Sequence, residues 1–118
     1  MEVREATPAE VPALRSVLNG AMLAVDDAAV ERSLLLVAVT EGRVVGGLVL
    51  DGAEIHAVAV RPGRRGRGIG TALVEAAAAR RETVTAAFDP SVRPFYESLE
   101  FDIDCEDESD RKRCRGRL

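Results

Sequence analysis

Between Gly63 and Glu75 the chain reads GRRGRGIGTALVE, four glycines and three arginines in eight residues before an abrupt turn to apolar side chains. Glycine disfavours a helix interior by about 1 kcal/mol relative to alanine, so helix stability alone does not select this opening. The alternating run AEIHAVAV precedes it, and TALVEAAAARR follows with Leu73, Val74, Ala77 and Ala78 toward one side. The order is strand, glycine-rich turn, helix. At such a junction the first backbone N–H groups of the helix have no internal partner, and the helix dipole adds roughly half a positive charge. Glycines at 66, 68 and 70 keep side chains clear of those amides, while Arg64, Arg65 and Arg67 add charge around them. The stretch therefore reads as a cradle for a phosphate or pyrophosphate.

Two familiar nucleotide loops do not fit. A P-loop needs Gly-x-x-x-x-Gly-Lys-Ser/Thr, and the stretch holds no lysine. The dinucleotide fingerprint Gly-x-Gly-x-x-Gly is not matched, and the strands before it read as an antiparallel meander, the wrong setting for a Rossmann unit. The meander consists of LLLVAVT, RVVGGLVL and AEIHAVAV, joined at Glu41-Gly42 and Asp51-Gly52.

Elsewhere, residues 2–5 predict a short strand. Thr7, Pro8 and Glu10 mark a helix start, with Val11, Leu14, Leu18 and Met22 at helical spacing, and a second short helix is expected from Asp26 to Ser33. After the glycine stretch, TVTAAF reads as a strand, PSVRPFYESL as a helix, and FDIDC with RKRCRGRL as a closing hairpin. A chain of 118 residues with few aromatics then makes one domain, 1–118, with an aliphatic core. The fold class is α+β: a mixed, mostly antiparallel central sheet flanked by helices in three layers.

Arg65-Gly66-Arg67-Gly68-Ile69-Gly70 is similar to the Arg/Gln-x-x-Gly-x-Gly/Ala signature of the GNAT superfamily of N-acetyltransferases, and VAVRPGRRG resembles the family's approach to it. A separate stretch, DPSVRPFYESLEF, resembles the family's later motif, with Tyr96 at the tyrosine position. The resemblance covers essentially the whole chain, since the predicted element order also agrees.

The resemblance implies transfer of an acetyl group from acetyl-coenzyme A to an amine within a ternary complex. The implied cofactor-binding residues are Val58, Ala59 and Val60 on the strand, Arg64, Arg65, Gly66, Arg67, Gly68, Ile69, Gly70 and Thr71 in the loop and first helical turn, and Asp89. Val58 N–H would face the oxyanion and Val60 the pantetheine amides. Tyr96 would protonate the departing thiolate. Glu54 stands where the family often carries a base acting through water. Period-2 alternation places Glu54, His56, Val58 and Val60 on one face, so His56, the only histidine, is a second candidate base. Two positions depart from the family pattern: Asp89 replaces an asparagine, and Glu100 replaces a glycine that usually caps the helix in a left-handed conformation.

The resemblance also implies an acceptor that is an amine of a small molecule or peptide, in a site shaped by residues 17–27 and the late hairpin. Acids at Asp102, Asp104, Glu106, Asp107 and Glu108 would attract an amine or form a solvated hairpin. Two other classes stay open: an acyl-coenzyme A binding module without catalysis, and an arginine loop used on nucleic acid. The net charge of -4 gives no general argument for nucleic acid, whose binding usually shows as a strongly basic face. A homodimer is compatible with all of these.

The N-terminus lacks the pattern of a secretory signal and no apolar run is long enough to span a bilayer, so a cytoplasmic location without membrane attachment is expected. Cys105 and Cys114 lack metal-site spacing, and no metal is expected. They read as buried reduced thiols, or as a cross-strand pair should the chain turn tightly near Ser109 and Asp110.

Overall fold

The computed structural model describes every residue except 22, 24, 109 and 110, and the backbone alone of 107, 108, 111 and 112. Seven strands form one sheet in the order β1-β2-β3-β4-β5-β7-β6. They are β1 (Glu2–Glu5), β2 (Leu34–Thr40), β3 (Arg43–Asp51), β4 (Glu54–Val60), β5 (Thr85–Phe88), β6 (Asp102–Glu108) and β7 (Arg111–Arg117). Only β4 and β5 run parallel; every other neighbouring pair is antiparallel.

Four helices flank the sheet: α1 (Val11–Gly20), α2 (Asp27–Arg32), α3 (Ile69–Ala78) and α4 (Arg93–Ser98). A 3-10 turn, Pro8–Glu10, precedes α1, where the Thr7 N–H donates to Glu10 Oε1 at 2.9 Å. The Arg4 guanidinium grips both Glu10 oxygens at 2.6 and 2.9 Å, tying β1 to this helix start and holding the Glu10 carboxyl down at about 2. The expected apolar position Met22 lies outside the described residues. Asp26 caps α2 by accepting from Ala29 N at 2.7 Å.

Several boundaries differ from the sequence reading. Helix α3 begins two residues earlier than TALVE and stops at Ala78, where the Arg80 N–H turns to the Ala77 carbonyl at 3.0 Å and tightens the last turn. The run PSVRPFYESL divides into a 3-10 turn, Pro90–Val92, and the six-residue α4. The closing hairpin is longer than FDIDC suggests, and its turn lies outside the described residues.

The core has two parts, one on each sheet face. Leu36, Leu48, Leu50, Leu73, Val74 and Phe88 belong to the part beneath α3 and α4, whereas Leu14, Leu18, Val37 and Val49 lie beneath α1. Gly46 and Gly47 let both layers approach β3 at one point. A Cβ on Gly47 would lie 1.8 Å from Leu14 Cδ1, and one on Gly46 would lie 3.0 Å from Ile69 Cγ2.

The register bears on three expectations. Val49 pairs with Ala57 and Leu50 with Ile55, so His56 is an extra residue, a β-bulge in β4. Beyond the bulge the alternation changes phase. Ile55 shares the α3-side core with Leu50, yet Ala57 shares the α1-side core with Val49. Glu54, paired with Asp51, consequently faces the α1 side, whereas Val58 and Val60 pack on the α3 side; the four residues do not share one face. Second, β6 and β7 place Asp102 opposite Arg117, Asp104 opposite Arg115 and Glu106 opposite Arg113. These exposed acids form half of a cross-strand charge ladder, which agrees with the reading of a solvated hairpin. Third, Cys105 and Cys114 lie directly opposite, with their Cα atoms 4.0 Å apart, and are joined by a disulfide; the reading as reduced thiols does not hold.

Candidate active site

The parallel pairing of β4 with β5 is confined to Glu54–Thr85 and Ile55–Ala86. The two strands are not paired beyond this, so from Ala57 to Val60 β4 is paired only with β3. Its other edge faces a cleft with backbone polar groups available, a template for an extended ligand. A cavity of about 690 Å³ occupies this splay. Among its lining residues are His56, Val58, Ala59, Val60, Arg64, Arg65, Gly66, Gly68, Ile69, Gly70, Thr71, Asp89 and Tyr96. The fold thus gathers sites named from two distant stretches of sequence into one cavity. Arg67 is exposed and Glu54 is 43% exposed; neither lines it.

The loop at one end is held by Arg61, whose N–H and Nε donate to the carbonyls of Val45 and Val44, both at 2.8 Å. Arg65 Nε donates to the Val60 carbonyl at 3.2 Å. Gly66 and Gly68 have φ of 76° and 78°, a left-handed conformation that favours glycine, and nothing lies within 4 Å of where their Cβ atoms would stand. Gly68 is the N-cap of α3, and the first helical hydrogen bond is Ala72 N–H to its carbonyl, 3.0 Å. The amides of Ile69, Gly70 and Thr71 therefore have no partner within the helix and open on the cavity. Unpaired amides, open glycines and the neighbouring Arg64 and Arg65 fit a pyrophosphate.

Helix α3 approaches α4 closely here: a Cβ on Gly70 would meet Phe95 Cε1 at 3.2 Å. Tyr96 is fixed by aromatic neighbours. Its ring stacks on Phe88 with centroids 4.3 Å apart and meets Phe95 and Phe101 edge-on at 5.0 and 5.1 Å. The side chain is 5% exposed, and burial pushes its phenol up to about 12. Its hydroxyl has no hydrogen-bond partner among the described residues, so the group is held in the cavity wall by packing alone.

Asp89 is the N-cap of the 3-10 turn before α4 and accepts from Ser91 N–H at 2.9 Å, a turn-closing role that lies beside the cavity. Glu100 takes the left-handed conformation, φ 64°, where the family pattern has glycine. The Phe101 N–H still reaches the Tyr96 carbonyl at 3.2 Å, so the helix end keeps the glycine-type closure with a glutamate in it.

Sequence reasoning missed the cavity residues Phe88, Val92, Phe95 and Arg113. No local pattern marks them, since they reach the cavity through the β5–β7 register and the packing of α4.

Residues 31–103, more than half of the chain, match the family model described as Acetyltransferase (GNAT) domain. The chain belongs to the GNAT family of acetyltransferases. Solved structures share its fold across nearly the whole length. An aminoglycoside 6'-N-acetyltransferase complexed with coenzyme A is 19% identical, with a TM-score of 0.78 over 100% of this chain and 96% of that one. The ribosomal-protein-S18-alanine N-acetyltransferase from Escherichia coli is also 19% identical, TM-score 0.78, over 99% and 92%. An Arabidopsis thaliana structure holding the bisubstrate analogue CoA-Ac-MVNAL is 14% identical, TM-score 0.83, over 99% and 97%. No curated protein matches the sequence. This GNAT domain has no helix among its described residues long and apolar enough to cross a membrane.

Proposed function

We propose that residues 1–118 act as one GNAT domain that transfers the acetyl group of acetyl-coenzyme A to an amine acceptor bound in the same complex. The observation that carries this reading is the single cavity joining the glycine-arginine loop, the unpaired edge of β4 and Tyr96. When bound, acetyl-coenzyme A supplies the activated thioester. The amides of Ile69, Gly70 and Thr71, with Arg64 and Arg65, hold the pyrophosphate. Val58, Ala59 and Val60 offer backbone groups to the pantetheine, and the Val58 N–H stabilises the oxyanion.

We assign the base to His56. The bulge projects it, exposed, from β4 at the point where the strands part, and it lines the cavity, whereas Glu54 does not. His56 takes the proton that the amine loses as its nitrogen attacks the carbonyl carbon; the C–S bond breaks and Tyr96 donates to the thiolate. A phenol held near 12 stays protonated, so Tyr96 offers a hydrogen bond to the departing thiolate, while the proton that completes the thiol comes back from the His56 imidazolium formed in the attack.

Calorimetric titration with acetyl-coenzyme A, with NADH as control, tests the cradle. Gly68→Glu should weaken binding at least tenfold, and unchanged affinity would remove the loop from the site. Thiol release with a panel of amines then tests transfer. Binding without any release would leave an acyl-coenzyme A sensor as the better reading. His56→Gln should abolish the acidic limb of the pH–rate profile, and an unchanged limb would return the base to Glu54 or to water.

A further inference from the structure

The cavity is lined by residues from both sides of the sheet. The α3 and α4 side holds the loop and Tyr96; the α1 side holds Ala21 and Leu23, which pack on the α1-side core. Arg113 reaches this second end from β7. Its neighbour Cys114 is wholly buried in the α3-side core, so by strand alternation Arg113 projects to the α1 side. Arg115, two residues on, confirms the direction by approaching Glu54 at 3.9 Å on that face.

Arg113 is half-buried, unlike the exposed Arg115 and Arg117. Glu106 stands directly opposite it in the register, yet no ion pair or hydrogen bond joins Arg113 to any described residue. Its side chain lines the cavity instead. Of the nearby carboxylates, Glu54 faces Arg115 outside the cavity, whereas Asp89 accepts from Ser91 N–H and lines the cavity. The ionisable lining near this end includes His56, Arg113 and Asp89, which follows Phe88 where that residue pairs with Cys114.

Resting on the acetyltransferase reading, we propose that the acceptor is a small amine that carries a carboxylate, and that Arg113 binds that carboxylate. A guanidinium offers two parallel N–H donors to a carboxylate, a geometry that fixes orientation as well as charge. The amine then lies toward His56 and the thioester. A neutral amine leaves this half-buried guanidinium without a partner among the described residues.

The test compares β-alanine and L-amino acids with their carboxamides in a thiol-release assay, for wild type, Arg113→Gln and Arg113→Lys, with coenzyme A affinity measured in parallel. Wild type should favour the carboxylate member by about 10- to 100-fold in kcat/KM. Arg113→Gln should reduce that preference to within about threefold, through KM, with coenzyme A affinity held within twofold; Arg113→Lys should keep part of it. Equal or better use of the amides by wild type overturns the carboxylate assignment while leaving acetyl transfer intact. If no amine in the panel is acetylated, calorimetric titration of the same carboxylates into the protein–coenzyme A complex decides: heat lost in Arg113→Gln supports the site, and no heat with wild type overturns it. Failure to bind coenzyme A would instead refute the acetyltransferase reading.

Discussion

Replacing Tyr96 by phenylalanine separates catalysis from packing. The hydroxyl has no hydrogen-bond partner among the described residues, so its removal strands no buried group. The ring contacts with Phe88, Phe95 and Phe101 are retained. Stability at pH 7 should therefore change by less than about 0.5 kcal/mol, in the range of a benign substitution. At high pH the two proteins should diverge. Burial raises the folded phenol from 10.0 to about 12, so the contribution is fully present below pH 10 and is lost as pH rises through 12. A shift of that size corresponds to on the order of 2–3 kcal/mol of wild-type stability lost across this window, and Tyr96→Phe should not show that loss. Urea unfolding at pH 7, 10 and 12 reads both effects. Loss of a thiolate donor should meanwhile lower turnover by roughly 10²- to 10⁴-fold with little change in coenzyme A affinity. A stability loss above about 1.5 kcal/mol at pH 7, or equal falls in turnover and affinity, would refute this division.

Three further perturbations test the scaffold. Glu100→Gly relieves a left-handed residue that is strained by about 1–2 kcal/mol, offset by about 0.4–1 kcal/mol of unfolded-chain entropy, so urea unfolding should show a net gain of roughly 0.5–1 kcal/mol; a loss would mean that the glutamate side chain matters more than its backbone. Gly47→Ala drives a methyl into Leu14, which is 1% exposed, and should destabilise by about 1–3 kcal/mol, whereas Gly63→Ala, with open space around it, should be near neutral; similar values for the two would contradict the close approach of α1 to β3. The Glu10 carboxyl is held at about 2, so its contribution is present above pH 4.5 and lost as pH falls through 2; the acid limb of Tm against pH should flatten in Glu10→Gln, and superimposable limbs would exclude the Arg4 clamp.

The alternating strands, the Glu41-Gly42 hairpin and the strand–glycine–helix junction were legible because each depends on neighbours within a few residues. Gly66 and Gly68 leave the open space that the GRRGRGIG stretch suggested, and their left-handed backbone is an addition from the structure. The placement of His56 was not legible. Its exposure follows from a bulge, and a bulge appears only when β3 and β4 are set in register across the sheet. Nor does RKRCRGRL distinguish Arg113 from Arg115 or Arg117. Their differing burial arises from where β7 passes the end of β5.

The sequence by itself determined most of the elements, the glycine–arginine loop before α3 and the place of the tyrosine, since backbone freedom, helix-end electrostatics and side-chain chemistry are properties of short segments. Only the tertiary structure decided which groups share the cavity and which face each occupies. Those depend on strand register and splay, where a shift of one residue turns a side chain from one side of the sheet to the other.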